Sequence, residues 1–314
     1  MKLGIDMGGM SIKMGLVNEE NEIIGRITIP TDLTVPYQVL VERMADAVQQ
    51  MLENAGMTLE QCEGIGIGSP GTIDAKQGVI LYSNNFGWEN VPIVEELKKH
   101  LDTRIEIAND ADAAALGEVC AGAAEGAENA VLLTLGTGVG GGVILDKKIF
   151  HGAMPGGCEL GHLSIRYDGI RCTCGRKGCL EAYASASALL RIAREKSAEH
   201  PESIMNEMCG NDLEQMNGKI PFDAAKAGDE AGMEVVKEYE GYLACGIANV
   251  INTFRPEKVI LGGGVAAQKE NLTAPLKDLV KDMCFGGSHG YIADIVTSVL
   301  GNDAGIIGAA NLVV

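Results

Sequence analysis

A plan that occurs twice limits the folds open to this chain more than any other feature. Residues 2–6 form an apolar run ending on Asp6, and Gly8-Gly9 turns the chain into a second run at 12–17. A polar turn at 18–21 leads to a third run at 22–29. Residues 130–150 repeat the arrangement. An apolar run at 130–135 meets Gly136-Thr137-Gly138, then Gly140-Gly141-Gly142-Val143-Ile144-Leu145, then a charged turn Asp146-Lys147-Lys148 and Ile149-Phe150. Short apolar runs joined by glycine-rich turns read as β-hairpins. Strand and helix patterns alternate after each copy, so the expected fold is two related α/β halves facing each other across a cleft.

Helices are marked by spacing and caps. Leu40, Met44, Val48, Met51 and Leu52 share one helical face, and Gly56 stops that helix. Thr58 and Gln61 have capping-box spacing. Pro92 suits the first turn of a helix running through Leu97, and Asn109 is a good cap for a helix over 111–120. A long helix over 229–253 delivers the chain to a strand at 258–261 and to Gly262-Gly263-Gly264; a last helix is expected over 301–312.

Three glycine turns thus follow strands. Glycine lets backbone N–H groups approach phosphate oxygens closely and adopt positive φ. Asp6 adds a carboxylate able to hold Mg²⁺, Lys13 a counter-charge, and Thr137 a hydroxyl. None of the turns fits the P-loop pattern, and the first two open hairpins rather than the helix of a dinucleotide fingerprint.

Glu159-Leu160-Gly161-His162 precedes Cys172-Thr173-Cys174-Gly175-Arg176-Lys177-Gly178-Cys179-Leu180-Glu181. Three cysteines and a histidine are the ligand set of a closed, four-coordinate zinc site, with no position left open for substrate. Cys-x-Cys outside a thioredoxin-like pattern argues against a redox pair. Glu159 and Glu181 bracket the ligands, and carboxylates suit a hydroxyl-rich ligand better than a thiolate-bound metal. The expectation is a structural Zn²⁺ that shapes a polar pocket, bound by His162, Cys172, Cys174 and Cys179.

A net charge of −18 excludes a basic nucleic-acid surface. No apolar stretch approaches the length of a membrane span. Nine cysteines, an odd number and mostly scattered, argue for a reducing, cytoplasmic setting rather than a disulfide framework.

Together these residues resemble the sugar kinases of the ROK family (repressor, open reading frame, kinase) of the actin/hexokinase/Hsp70-like ATPase superfamily, most closely the bacterial ROK glucokinases. The likeness runs from Asp6-Met7-Gly8-Gly9 through Asn109-Asp110, Leu135-Gly136-Thr137-Gly138 and Glu159-Leu160-Gly161-His162 to the cysteine cluster and Leu261-Gly262-Gly263-Gly264. The resemblance implies a duplicated ribonuclease-H-like fold with the active site in the cleft. It implies ATP and Mg²⁺, a hexose substrate, and a homodimer or dimer of dimers. It also implies that the last helix returns to the N-terminal half, giving domains 1–117 with 301–314, and 118–300. Repressors of the family carry an added N-terminal module, whereas this chain opens on the first phosphate loop.

Phosphoryl transfer to a hydroxyl needs an aligned acceptor, a base and neutralised charge on the γ-phosphoryl. Asp110 is the expected base; Asp112 lies about 200° further round the same helix and cannot face the same way. The resemblance nominates Asn85, Asn109, Asp110, Glu159, His162 and Glu181, with backbone at Gly71, for the sugar. It assigns Asp6, Gly8, Gly9, Lys13, Thr134, Gly136, Thr137, Gly138, Gly262, Gly263 and Gly264 to the nucleotide. His162 can serve both metal and sugar through its two ring nitrogens. Trp88 is expected to pack the loop rather than stack on sugar. Cys158 stands where family members usually carry glycine, and the loop before Trp88 lacks a proline often seen there. The expected reaction is 6-phosphorylation of glucose, with N-acetylglucosamine, N-acetylmannosamine, fructose or allose as rival substrates. A non-catalytic sugar sensor is the rival of another class.

Overall fold

The computed structural model describes residues 1–290 and 292–314. The chain forms two compact units, one of Met1–Leu132, Gly142–Cys158 and Val299–Val314, the other of Leu133–Gly141 and Glu159–Ser298. A boundary at 117/118 would fall inside an unbroken helix, Asp110–Ala121.

The first unit opens with strands β1 (Lys2–Met7), β2 (Ser11–Val17) and β3 (Ile23–Pro30), followed by helix α1 (Tyr37–Asn54). Strand β4 (Ile65–Ser69) comes next, then β5 (Thr72–Asp74), β6 (Val79–Ser83) and β7 (Trp88–Val91), which make a small antiparallel sheet. Helix α2 (Ile93–Lys98), strand β8 (Ile105–Asn109) and helix α3 (Asp110–Ala121) follow. The main sheet has the order β3-β2-β1-β4-β8, antiparallel through the hairpins and parallel from β1 to β8. Alternation along its strands explains its two faces. Leu3, Ile5, Ile65 and Ile67 are fully buried in one apolar cluster with Leu40, Met44 and Val48 of α1. Their neighbours Gly4 and Gly66 present bare backbone to the C-terminal helix.

The second copy of the hairpin plan is β9 (Ala130–Leu135), β10 (Val139–Leu145) and β11 (Lys148–Ile149). Helices α4 (Glu181–Ala184), α5 (Ala186–Glu199), α6 (Ile204–Met208), α7 (Ile220–Lys226) and α8 (Glu230–Phe254) follow. Strand β12 (Lys258–Gly262), helix α9 (Glu270–Met283), strand β13 (Asp294–Thr297) and helix α10 (Ala304–Ala310) complete the chain. This sheet has the order β11-β10-β9-β12-β13. In both sheets a three-stranded meander is followed by two strands beyond its first, which is the duplication read from the sequence. The unit boundary passes through β9 and β10 themselves.

Local chemistry accounts for the element ends. Asp229 caps α8 by accepting the Gly232 N–H at 2.8 Å, and Arg255 stops it in a left-handed conformation at φ 51°. Gln61 accepts the Thr58 N–H at 2.8 Å. The expected C-terminal helix is shorter than 301–312, because single 3₁₀ turns flank Ala304–Ala310 on both sides. Among the described residues no helix is long and apolar enough to cross a membrane.

Candidate active site

The first unit gathers three charged groups at the ends of β1, β2 and β8. Cross-strand register sets Asp6 opposite Lys13, and Lys13 Nζ lies 3.8 Å from Asp6 Oδ2. The tight turn beyond is closed by Gly8 N–H donating to the Ser11 carbonyl at 3.0 Å, leaving Gly9 exposed. Burial holds the Asp6 carboxyl above the usual carboxylate range; Lys13 opposes this and the Asp110 charge adds to it. Gly305, at the start of α10, fits because it has no side chain: a Cβ there would come 2.9 Å from Asp6 Cγ.

Asn109 ends β8 and turns its side chain to two tasks. Its Oδ1 accepts the Ala111 N–H at 2.8 Å, capping α3, and its amide donates to the Gly71 carbonyl at 3.1 Å. Gly71 sits at φ 121° against the Tyr82 carbonyl, where any side chain would collide. Asp110 therefore begins α3 beside a fixed loop. Its Oδ1 accepts the Ala111 N–H at 2.9 Å, yet burial outweighs this bond and raises its pKa. A carboxylate with raised affinity for a proton is what a general base requires. Asp112 points elsewhere: it is buried, with Oδ2 3.8 Å from His151 Nδ1. Asn85 is exposed on the β6–β7 turn. Trp88 packs on Phe86 and Tyr37, at ring-centroid distances of 4.8 and 6.1 Å, so it braces the loop.

The second unit brings the other two glycine turns together. Gly136 N–H donates to the Gly138 carbonyl at 3.0 Å, the Gly136 carbonyl accepts Ala186 N–H at 2.8 Å, and Ser187 Oγ donates to the Thr137 carbonyl at 2.9 Å. The turn is thus pinned to the start of α5; Thr134 lies half-buried in β9 just before it. Gly263, at φ 82°, lies against the backbone of Leu135, where a Cβ would clash. That approach sets Gly262, Gly263 and Gly264 at the end of β9. Beside them is a cavity of about 480 Å³ whose walls include Ala186, Lys219, Lys226, Gly264, Gln268 and Asn271. Apart from Gly264, these wall residues carry no sequence signal, since they come from three separate segments.

Glu159 is exposed and opens a single helical turn through His162, whose N–H donates to the Glu159 carbonyl at 3.0 Å. Gly161 packs directly on the Val139 backbone. Cys158 stays half-buried, its thiol 3.7 Å from the Phe150 carbonyl. One ring nitrogen of His162 and the sulfurs of Cys172, Cys174 and Cys179 lie within 4.8 Å of one another. The separations are 3.7 Å for Cys172–His162 and 3.6 Å for Cys174–Cys179, with no disulfide formed. A tetrahedral ion with bonds of about 2.0–2.3 Å needs ligand spacings of about 3.3–3.8 Å, which these two separations meet, and the Cys₃His donor set suits Zn²⁺. Burial pushes the Cys179 thiol up to about 12 and raises Cys172, while the Arg176 backbone N–H lowers exposed Cys174. Glu181 accepts the Val139 N–H at 3.1 Å and the Thr173 hydroxyl at 3.0 Å.

Known proteins are similar to this chain over nearly its whole length. The glucokinase of Thermotoga maritima is 37% identical over 99% of this chain and 96% of its own length. A ROK family glucokinase from Streptomyces griseus, solved in complex with glucose and AMPPNP, superposes with a TM-score of 0.79 at 31% identity, over 99% of this chain and 98% of that one. The xylose repressor of Caldicellulosiruptor bescii is 29% identical over 99% of this chain and 77% of its own length. Two strand–glycine hairpins, a capped Asn-Asp helix start and a Cys₃His quartet are joined by a ROK family model matching residues 2–314, and the chain belongs to the ROK family, with its actin/hexokinase-like sugar-kinase fold.

Proposed function

We propose that this chain is an ATP-dependent hexose kinase that phosphorylates the 6-hydroxyl, with glucose as the preferred hexose. The observation that carries this reading is Asp110: a carboxylate of raised pKa at a capped helix start, tied through Asn109 to Gly71. The likeness to glucokinases, one of them holding glucose and AMPPNP, supports both substrates.

Asp110 takes the proton of the 6-hydroxyl as the new oxygen–phosphorus bond forms. Asn109, Asn85, Glu159, Glu181 and the Gly71 backbone bind the remaining hydroxyls, with the ring nitrogen of His162 that is turned away from the cysteines. Backbone amides of Gly8, Gly9, Gly136, Thr137, Gly138, Gly262, Gly263 and Gly264 cradle the phosphates, with Lys13 as counter-charge and Thr134 behind the hairpin. The cavity beside Gly264 takes the base and ribose. Asp6 would hold Mg²⁺, which would supply neutralisation of phosphate charge. His162, Cys172, Cys174 and Cys179 would hold Zn²⁺, which would supply closure of the loop rather than Lewis acidity. A cytoplasmic setting and assembly as a homodimer or a dimer of dimers belong to the same proposal.

The test is hexose phosphate formation with a panel of glucose, N-acetylglucosamine, N-acetylmannosamine, fructose and allose, with ATP and with polyphosphate as donors. Glucose with ATP gives the highest kcat/KM. Asp110→Asn keeps the hexose KM within about threefold and lowers kcat by about 100-fold or more. Near-normal turnover by that variant removes Asp110 as the base. Hexose-dependent thermal stabilisation without turnover by any hexose supports the sensor role that the repressor relatives raise.

A further inference from the structure

Glu181 is bonded on both sides. Its Oε2 accepts the N–H of Val139, one residue past Gly138, at 3.1 Å. Its Oε1 faces two donors, the Thr173 hydroxyl at 3.0 Å and the Cys172 thiol at 3.4 Å. The approach to the hairpin depends on glycine, because a Cβ on Gly138 would strike Glu181 Oε2. One carboxylate therefore links the glycine hairpin to the cysteine loop within a single compact unit.

The two donors to Oε1 are not equivalent. Cys172 is one of the four candidate metal ligands, and its contact with Oε1 is the longer of the two. The Thr173 hydroxyl lies outside the ligand quartet, keeps its proton, and is fixed in the same loop between Cys172 and Cys174.

We propose that Thr173 is a positioning residue that holds Glu181 in the metal-loaded protein. Its hydroxyl keeps Oε2 on Val139 and orients the carboxylate for the hexose. The hexose half rests on the function proposed above; the hairpin half rests on the contacts alone.

The experiment compares Thr173→Val, which removes the hydroxyl at nearly constant shape, with Thr173→Ser, which restores it, in the full-length metal-loaded chain. Three quantities are read: bound zinc, amide hydrogen exchange of the peptide spanning 136–141, and KM and kcat for glucose. Thr173→Val is expected to retain its zinc and to exchange about tenfold faster over 136–141. It should raise the hexose KM about five- to tenfold while changing kcat less than about twofold. Thr173→Ser brings both back. Unchanged exchange in Thr173→Val overturns the proposal, as does a loss of zinc that accounts for the change. Faster exchange with an unchanged KM overturns the hexose half. If the parent protein turns over no hexose, the functional reading fails, and the exchange arm still decides the role of Thr173.

Discussion

Glu240 is a carboxylate set within a helix face that excludes water. It is 6% exposed on α8, and its Oε1 has no hydrogen-bond partner among the described residues. Burial raises its pKa from 4.5 to about 7. A buried carboxylate of this kind disfavours its charged form and costs stability once ionised. The sign follows from proton binding. Below the unfolded value of 4.5 both states are protonated and there is no penalty. Between 4.5 and 7 the folded state binds the extra proton, so stability falls as pH rises; above about 7 the full penalty applies. Glu240→Gln removes the ionisation while keeping the shape. It should raise Tm by about 3–6 °C at pH 8 and by little at pH 4.5. Calorimetry at the two pH values checks this; an equal shift at both would assign the effect to packing instead of charge.

At the scale of elements, α3 and α10 meet backbone to backbone. A Cβ on Gly308 would overlap the Ala113 carbonyl, and one on Gly117 would overlap the Ala304 carbonyl. The same close packing sets Gly4 and Gly66 of the sheet under α10. Since α3 carries Asp110 at its start, its seating matters to the site as well as to stability. Gly308→Ala should cost about 1–3 kcal/mol by forcing the helices apart, and should lower kcat as well. Gly241 gives the opposite case. It lies inside α8, and a methyl group added there would meet no atom within 4 Å, so Gly241→Ala should gain roughly 0.5–1 kcal/mol from helix propensity. Thermal melts of the two variants separate crowding from conformational entropy, and stabilisation by both would refute the close-packed crossing. Neither result was legible in the sequence, where the glycines look alike. What they face comes from segments almost 200 residues apart. Features decided within a few residues could be read directly: the Asn109 cap, the Thr58–Gln61 pair, the glycine turns, and the His162–Cys179 ligand spacing.

For the whole molecule, the duplicated strand order was legible because alternation and glycine turns are local signals. The unit boundary was not, because it crosses β9 and β10 without any break in their strand pattern. The cavity beside Gly264 has no local sequence signal for a related reason, since its walls converge only in the folded chain. The two compact units should also respond separately to metal loss. The segment between His162 and Cys179 contains no strand or helix; isolated bridges at Ser164–Cys179 and Arg171–Lys177 and turn bonds such as Ile165 N–H to the Gly178 carbonyl and Cys172 N–H to the Arg176 carbonyl, both at 2.8 Å, hold it. So little regular structure leaves room for the ligand quartet to add to its closure, and metal-binding free energy there acts as folding free energy. Removing zinc with a chelator should lower the melting temperature of the unit built on Glu159–Ser298 and leave that of the unit built on Met1–Leu132 in place. A single calorimetric endotherm should split into two, and zinc added back should merge them again. Exchange over 136–141 should rise in the chelated protein, because Glu181 ties that hairpin to the released loop. A scan unchanged by chelation, in protein shown to have lost its zinc, would mean that the quartet does not brace this unit.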